Sequence, residues 1–329
     1  MRQLRVLSGS LTRFLIKLLR SIAKETPHAL RRVYYAVLII TALLSISTRP
    51  MLLENLHHLR LQFVFLLVLG VIFLRFRSRI WLLLGLLAIT LNGLQVYPFY
   101  FPRVQPNTGT SNFRILLSNV FQINDNYDSV SKLIQEEDPA MVVLVELTAA
   151  WNDALAADLA KYPYRATKVM QGDFGIGVFS KHPIANQRIV AFTDESPPAV
   201  VLDLLYEQKT IRVVAVHTWP PITLRNFRIR NQDLERIATV IAEERMPTIL
   251  AGDLNITSLS PYFQDLIHNA ALIDPRVGRG LIPTCPTFLP ILWVPFDHIL
   301  HTKDISLTDF RRGPYVGSDH FPLIADFKL

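Results

Sequence analysis

The hydrophobic pattern changes character once along the chain, near residue 100. Before that point apolar residues run in long blocks, from Val33 to Thr48, Leu61 to Leu74 and Ile80 to Tyr97. Crossing a hydrocarbon core takes about 20 apolar residues in a helix. The third block meets this best. The first two meet it only with help from flanking residues, Arg60 and Arg75 reaching to the interfaces. Ahead of the blocks, Leu4, Leu7, Leu11, Phe14, Leu15, Leu18, Leu19 and Ile22 recur at helical spacing, with Arg13, Lys17, Arg20 and Lys24 on another side. This predicts a basic amphipathic helix suited to an anionic membrane surface, with a mobile basic tail as the alternative. Charges interleaved with apolar residues, and no small-x-small site after them, argue against a signal peptide.

Beyond Pro98 to Asn112, a stretch with Pro98, Pro102, Pro106, Asn107 and Gly109 that reads as a linker, the runs shorten to strand length. Strands are expected at Phe113–Val120, Ala140–Val145, Gly175–Ser180, Ala199–Tyr206, Ile211–Val216, Pro247–Leu254, Phe296–Leu300 and Leu323–Phe327. Helices are expected at Ser129–Glu137 and at Arg225–Glu244, where Phe227, Leu234, Ile237, Val240 and Ile241 share one face. A Pro- and Gly-rich loop occupies about Asp274 to Pro290. The expected organisation is a basic segment at 1–32, a membrane region of about three helices at 33–98, a linker at 99–112 and an α/β domain at 113–329.

Charge refines this picture. The formal net charge is +7, but Arg2, Arg5, Arg13, Lys17, Arg20, Lys24, Arg31 and Arg32 all precede residue 33, so the excess is mainly an orientation signal. With three spans, the basic N-terminus and the Arg75-Phe76-Arg77-Ser78-Arg79 break lie in the cytoplasm and the domain lies outside it; in a bacterium it would be an inner-membrane protein facing the periplasm. With two spans, the domain stays in the cytoplasm. Cys285 is the sole cysteine, which excludes an intramolecular disulfide and a cysteine-built metal site.

Polar groups gather where the expected strands end. Asn119, Glu146, His217, Asp253 with Asn255, Asp297, and Asp319 beside His320 all stand at or near such positions, the usual place for ligand sites in α/β sheets. The central stretch is Pro247-Thr248-Ile249-Leu250-Ala251-Gly252-Asp253-Leu254-Asn255. Gly-Asp-x-Asn is also ordinary turn chemistry; it is the company of the other polar strand ends that points to one site. Oxygen ligands plus imidazole imply Mg²⁺ or Mn²⁺ rather than structural zinc.

Ser118-Asn119-Val120, Val145-Glu146, His217-Thr218, Gly252-Asp253-Leu254-Asn255, Phe296-Asp297-His298 and Gly317-Ser318-Asp319-His320-Phe321-Pro322-Leu323, in this order, resemble the endonuclease/exonuclease/phosphatase, or deoxyribonuclease-I-like, family over about residues 111–329. The resemblance implies two facing mixed β-sheets flanked by helices and metal-dependent cleavage of phosphoester bonds. It implies Glu146 as principal metal ligand with Asn119 and Asp319 beside it, and Asp253 and Asn255 orienting water and phosphate. It makes His320 general base or phosphate ligand supported by Asp297. His217 would stabilise the transition state or protonate the leaving oxygen, with Asp173 as its supporting carboxylate, where the family more often has Glu. The implied substrate is a nucleic acid or a phospholipid; a catalytically inactive, membrane-tethered binding protein is the alternative of another class. Arg165, Lys168, Arg188, Arg276, Arg279, Arg311 and Arg312 are the scattered cations available to a polyanion, and Trp219-Pro220-Pro221 and Phe288–Phe296 would suit an apolar substrate. Arg225, Arg228 and Arg230 read as a solvated helix face, and His298 and His301 as packing or surface residues.

Overall fold

A strand covered on both faces loses the polar alternation of a half-exposed one, and the central strands here are of that kind. In the computed structural model of the chain, which describes residues 28–46, 49–74, 79–101 and 110–329, β1 (Phe113–Asn119) and β2 (Met141–Val145) pair in parallel. With β3 (Tyr164–Lys168), β4 (Ile176–Ser180), β11 (Ser306–Arg312) and β12 (Leu323–Lys328) they form a six-stranded sheet in the order β11-β12-β1-β2-β4-β3. The second sheet contains β5 (Ile184–Val190), β6 (Ala199–Tyr206), β7 (Lys209–His217), β8 (Thr248–Asp253), β9 (Leu272–Ile273) and β10 (Asp297–Thr302), in the order β5-β6-β7-β8-β10-β9.

Alternation within each strand sorts the apolar residues into layers. Ile115 and Leu117 of β1, Val143 of β2, Val213 and Ala215 of β7, Ile249 and Ala251 of β8 and Ile299 of β10 share the core between the sheets. The intervening residues face outward. Leu116, Val142 and Leu144 pack with Val130, Leu133 and Ile134 of α5 (Tyr127–Glu137) and with Trp151 and Leu159 of α6 (Ala149–Ala154) and α7 (Ala156–Leu159). Val214, Val216 and Leu250 pack with Leu234, Ile237 and Ile241 of α8 (Leu224–Glu244) and Phe263 and Leu266 of α9 (Pro261–Asn269). The layering is the expected helix–sheet–sheet–helix sandwich. The strands and helices expected from the apolar runs are present; β3, β5 and β11, for which no run stood out, are edge strands. An edge strand such as β5, largely exposed, carries little apolar signal.

The apolar N-terminal blocks divide differently from the expectation. Residues 28–44 form α1, followed by α2 (Met51–His57), α3 (Arg60–Phe73) and α4 (Arg79–Tyr100). Among the described residues, only α4 is by itself long and apolar enough to cross a membrane; α2 and α3 qualify only as one span bent by 72°. The expected basic helix at 4–22, the break at 75–78 and most of the linker lie outside the described residues. Tyr34, Val37 and Leu38 of α1, Leu67 of α3 and Ala88 of α4 form one small core, with Asn92 and Arg60 reaching inward to the Thr41 and Leu44 carbonyls. Ile39, Phe65, Phe73, Leu83 and Leu94 are exposed by 61–75%. Large apolar residues thus lie on the outside of these helices as well as in their core.

The chain separates into two units, one of Met1–Ser47 with Arg60–Gln95, the other of Thr48–Leu59 with Val96–Leu329. The sandwich thus begins before residue 113: Val96 and Phe99 pack against Leu259 and Leu281, and the Gly278 and Gly280 N–H groups donate to the Pro98 and Phe99 carbonyls.

Gly252 sits where β8 passes closest to β7. A Cβ built on it would lie 1.8 Å from the Val216 carbonyl oxygen, and its φ of +153° is one that other residues rarely adopt. Gly252→Ala is expected to destabilise the sandwich by about 1–3 kcal/mol, as overpacking typically does, read as a fall in Tm of the purified chain. An unchanged Tm would mean that β7 and β8 can spread freely.

Candidate active site

In four strands the inward-facing row ends in a polar residue. Counting in twos from the core gives Ile115, Leu117, Asn119 in β1; Val213, Ala215, His217 in β7; Ile249, Ala251, Asp253 in β8; and Ile299, Asp297 in β10, read against chain direction. In the second sheet His217 is opposite Asp253, and Asp253 opposite Asp297. All these side chains are therefore delivered to one end of the inter-sheet core.

Asp253 is the hub. Its Oδ2 lies 3.2 Å from Asn119 Nδ2, 3.6 Å from His320 Nδ1 and 3.7 Å from His217 Nε2, while Oδ1 accepts the Asn255 N–H at 2.9 Å. Asn119 Nδ2 also donates to Glu146 Oε1 (3.0 Å), whose other oxygen accepts the Gln122 N–H (2.9 Å). Glu146 follows β2 with φ +61° and Asn255 follows β8 with φ +48°. Asn visits that region readily but Glu does not, and a residue held in a sparsely populated backbone region belongs with functional sites. Asn255 Nδ2 donates to the Thr218 carbonyl at 2.8 Å.

His320 Nδ1 is bonded to Asp297 Oδ2 at 2.7 Å. Burial alone would lower the pKa of this ring, but Asp297 and Asp253 outweigh it and raise the value well above the ordinary 6.5. Burial, opposed by His217, raises the Glu146 carboxyl, and burial likewise raises Asp319, with Asp253 and Asp297 acting in the same direction. Ligand atoms of Asp253, Asp297 and His320 lie within 4.8 Å of one another. Asp297 Oδ1 and His217 Nδ1 are buried with no hydrogen-bond partner. Crowded carboxylates, one with an unanswered oxygen, are the donor set a hard divalent cation requires.

The candidate residues do not all meet. Asn119, Glu146, His217, Asp253, Asn255, Asp297 and His320 come together. Asp319 stands close enough for Asp253, Asp297 and His320 to act on its carboxyl, but its hydrogen bonds are to Ser318 Oγ (3.5 Å) and, through its carbonyl, to the Thr287 N–H (2.9 Å). Asp173, expected to support His217, instead bonds the side chain of Gln122. His217 Nδ1 is left bare, and the neighbour beside its ring is Phe174, 5.2 Å away between centroids, with Trp219 packed on Phe174 at 4.4 Å. Two arginines are buried components of the frame. Arg276 donates to the Asp297 carbonyl (2.6 Å) and contacts His298 Nδ1 (3.1 Å). Arg230, expected on a solvated face, is fully buried and donates to the Asn255 carbonyl at 2.8 Å. Ser318 was not singled out, yet its hydroxyl donates to the Asn119 carbonyl (2.8 Å) and accepts the His320 N–H (3.0 Å), fastening the β11–β12 loop that carries His320 to the end of β1. Its place within Gly-Ser-Asp-His was the available signal.

A model of the Endonuclease/Exonuclease/phosphatase family matches residues 116–320. Comparison with curated proteins gives no significant sequence match. Solved structures share the fold. The 3′ phosphatase NExo from Neisseria superposes with a TM-score of 0.56 at 18% identity over 66% of this chain and 100% of its own. A humanized D. rerio TDP2 gives 0.55 at 17% over 66% and 99%. Sphingomyelinase C from Streptomyces griseocarneus gives 0.50 at 18%, again over 66% and 99%.

The His320–Asp297 pair has a pH signature. Because the folded-state value is raised, its contribution to stability is fully present below about pH 6.5, the ordinary histidine value, and is lost as pH rises through the folded value. In metal-free protein, NMR should find the His320 ring still protonated above pH 6.5, with Asp297→Asn lowering its midpoint; a ring titrating at the ordinary value in both proteins would contradict the pairing.

Proposed function

The chain belongs to the endonuclease/exonuclease/phosphatase family, and from that premise we propose that it is a membrane-anchored hydrolase of phosphodiester bonds, dependent on a divalent cation, Mg²⁺ or Mn²⁺. The observation that carries this reading is the Asp253 carboxylate, which is in reach of both imidazoles and of the Asn119–Glu146 pair from the opposite sheet. Glu146, with Asn119 beside it, would hold the cation. When bound, the cation supplies neutralisation of phosphoryl charge and a lowered pKa for water.

The side chains divide the remaining work. Asp253 orients the attacking water and takes up its proton, its carboxylate steadied by the Asn255 N–H at 2.9 Å. Asn255 positions the phosphoryl group. His320, held in the imidazolium form by Asp297 and Asp253, donates to a phosphoryl oxygen and is thereby better suited as phosphate ligand than as base. His217, against the Phe174 ring, is placed to protonate the leaving oxygen.

Two substrate classes suit this chemistry. NExo was solved with a product DNA hairpin and a D. rerio TDP2 with a single-strand DNA product, so a nucleic acid is one. A phospholipid-type diester is the other, and a specific observation favours it. The segment that follows Thr287, itself tied to Asp319 and Ser318, exposes Phe288 by 76% and Ile291 by 72%. Several of the candidate cations are meanwhile occupied: Arg188 by Glu244, Arg311 by Glu137, Asp309 and Asp326, and Arg276 by burial.

Membrane anchoring is supported by the apolar exterior of the helices and by a topological constraint. Thr48–Leu59 and Val96–Leu329 form one compact unit, so in this reading both stretches lie on the same side of the membrane. With three crossings, and with the basic stretch Arg75-Phe76-Arg77-Ser78-Arg79 of the sequence on the cytoplasmic side, the catalytic unit would face the other side.

The purified full chain, assayed in detergent on plasmid DNA, a choline phospholipid and bis(p-nitrophenyl) phosphate, is expected to require Mg²⁺ or Mn²⁺ and to stop with chelator. Asp253→Ala should lower kcat by about 10²–10³-fold, the usual effect of removing a preorganised charged group. Turnover indifferent to both would refute the mechanism, and absence of turnover in the folded chain would favour a binding role.

A further inference from the structure

Glu54 is the only acidic residue between Glu25 and Asp125, and it lies fully buried in the catalytic unit. Its Oε2 takes a hydrogen bond from Arg230 Nη2 at 3.0 Å and its Oε1 one from the Ser260 hydroxyl at 2.5 Å. Around it, α2 and the residues flanking it touch the connections that follow β7 and β8 and the residue that precedes β10. Asn55 Nδ2 donates to the Pro221 carbonyl at 3.1 Å, and His58 Nδ1 is 3.1 Å from the Thr257 hydroxyl. The His58 ring meets Phe296, the residue before Asp297, edge-on at 5.3 Å. Arg49 pairs with Asp265 at the rim at 2.6 Å. A segment roughly 200 residues upstream in sequence thus forms part of the wall behind the Gly-Asp-x-Asn turn.

On the basis of the proposed hydrolytic site, we infer that α2 is a built-in positioning element: Glu54 fixes Arg230, and Arg230 fixes the backbone of Asn255. Arg230 is completely buried, so its guanidinium needs acceptors on every side. It finds Glu54, the Asn255 carbonyl at 2.8 Å and Asn231 Oδ1 at 2.7 Å. Among the described residues Glu54 is the only carboxylate paired with it. Without Glu54 the buried cation is uncompensated and has every reason to turn towards water, which withdraws its donor from Asn255. Asn255 holds a left-handed backbone conformation, with its N–H on Asp253 and its side chain on Thr218. Release of its carbonyl would therefore move the amide away from the phosphoryl group without removing any group that touches substrate. The burial cost on Glu54 is overcome chiefly by the Arg230 guanidinium, with the Ser260 hydroxyl acting in the same direction, which keeps its pKa below the ordinary carboxylate value, so the anion is the form present at neutral pH. The arrangement makes the loop between the first two apolar helices a required part of the enzyme, in addition to a link between them.

The test uses the full chain in detergent with two variants, Glu54→Gln and the double variant Glu54→Leu/Arg230→Met, the second replacing a buried ion pair by apolar groups so that the fold survives if the single change proves too disruptive. Two readouts are taken, hydrogen–deuterium exchange over residues 254–260 and steady-state hydrolysis of bis(p-nitrophenyl) phosphate. Both variants are expected to exchange faster at 254–260 with β6 and β7 unchanged, and to lose about tenfold in kcat with KM within about twofold, as a small misplacement of a positioning group would produce. A double variant with wild-type exchange and wild-type kcat overturns the inference and leaves the ion pair as mere fastening. If the wild-type chain itself does not turn the diester over, the hydrolase reading fails, and the exchange readout alone decides the role of Glu54.

Discussion

A carboxylate buried at the end of a strand must be answered by donors or by a cation, and the functional end of this sandwich is built around that requirement at Asp253. At 2% exposure it has little water to rely on. Its oxygens are served by the backbone of Asn255 and by Asn119 across the inter-sheet gap, with His217 and His320 close by. Groups that would be placed independently on the surface of a protein are coupled here by one shared acceptor. The two sheets consequently have to meet at a definite distance, and the Asn119–Asp253 and His320–Asp297 hydrogen bonds tie them there, with Ser318 fastening the His320 loop to Asn119.

The same economy of partners extends outward. Asp297 orients His320 through Oδ2, while its own backbone is held by the buried Arg276. Asn255 is held by Arg230, and Arg230 by Glu54. Both arginines spend their guanidinium groups on main-chain carbonyls immediately at the site, a use for which the planar, multi-donor group is suited and lysine is not. Phe174 and Trp219 add an aromatic wall beside His217. What faces the substrate space is thus a small polar cluster between rigid neighbours, with exposed apolar residues beyond Thr287.

Much of the fold was legible from apolar runs, because strands covered on both faces announce themselves: β1, β2, β6, β7 and β8 were visible as runs, and β3, β5 and β11 were not. The site was legible to the extent that polar residues stood at strand ends in phase with the inward-facing row, which holds for Asn119, His217, Asp253 and Asp297. Loop residues lack that phase. Asp173 had the right chemistry for His217 but is engaged by Gln122 instead, and no spacing rule could have shown it.

The sequence by itself determined which residues could carry the chemistry and at which end of which strands they would emerge, since a period of two and a buried face leave little freedom. It also marked the apolar blocks of the N-terminal region. Only the tertiary structure decided what those groups meet. It turned Arg230 and Arg276 from surface cations into buried supports, left His217 Nδ1 without its expected partner, and brought Thr48–Leu59 into the catalytic unit. The reason is physical: periodicity constrains a residue relative to its own element, whereas the pairing of buried charges depends on which elements pack together across long stretches of chain.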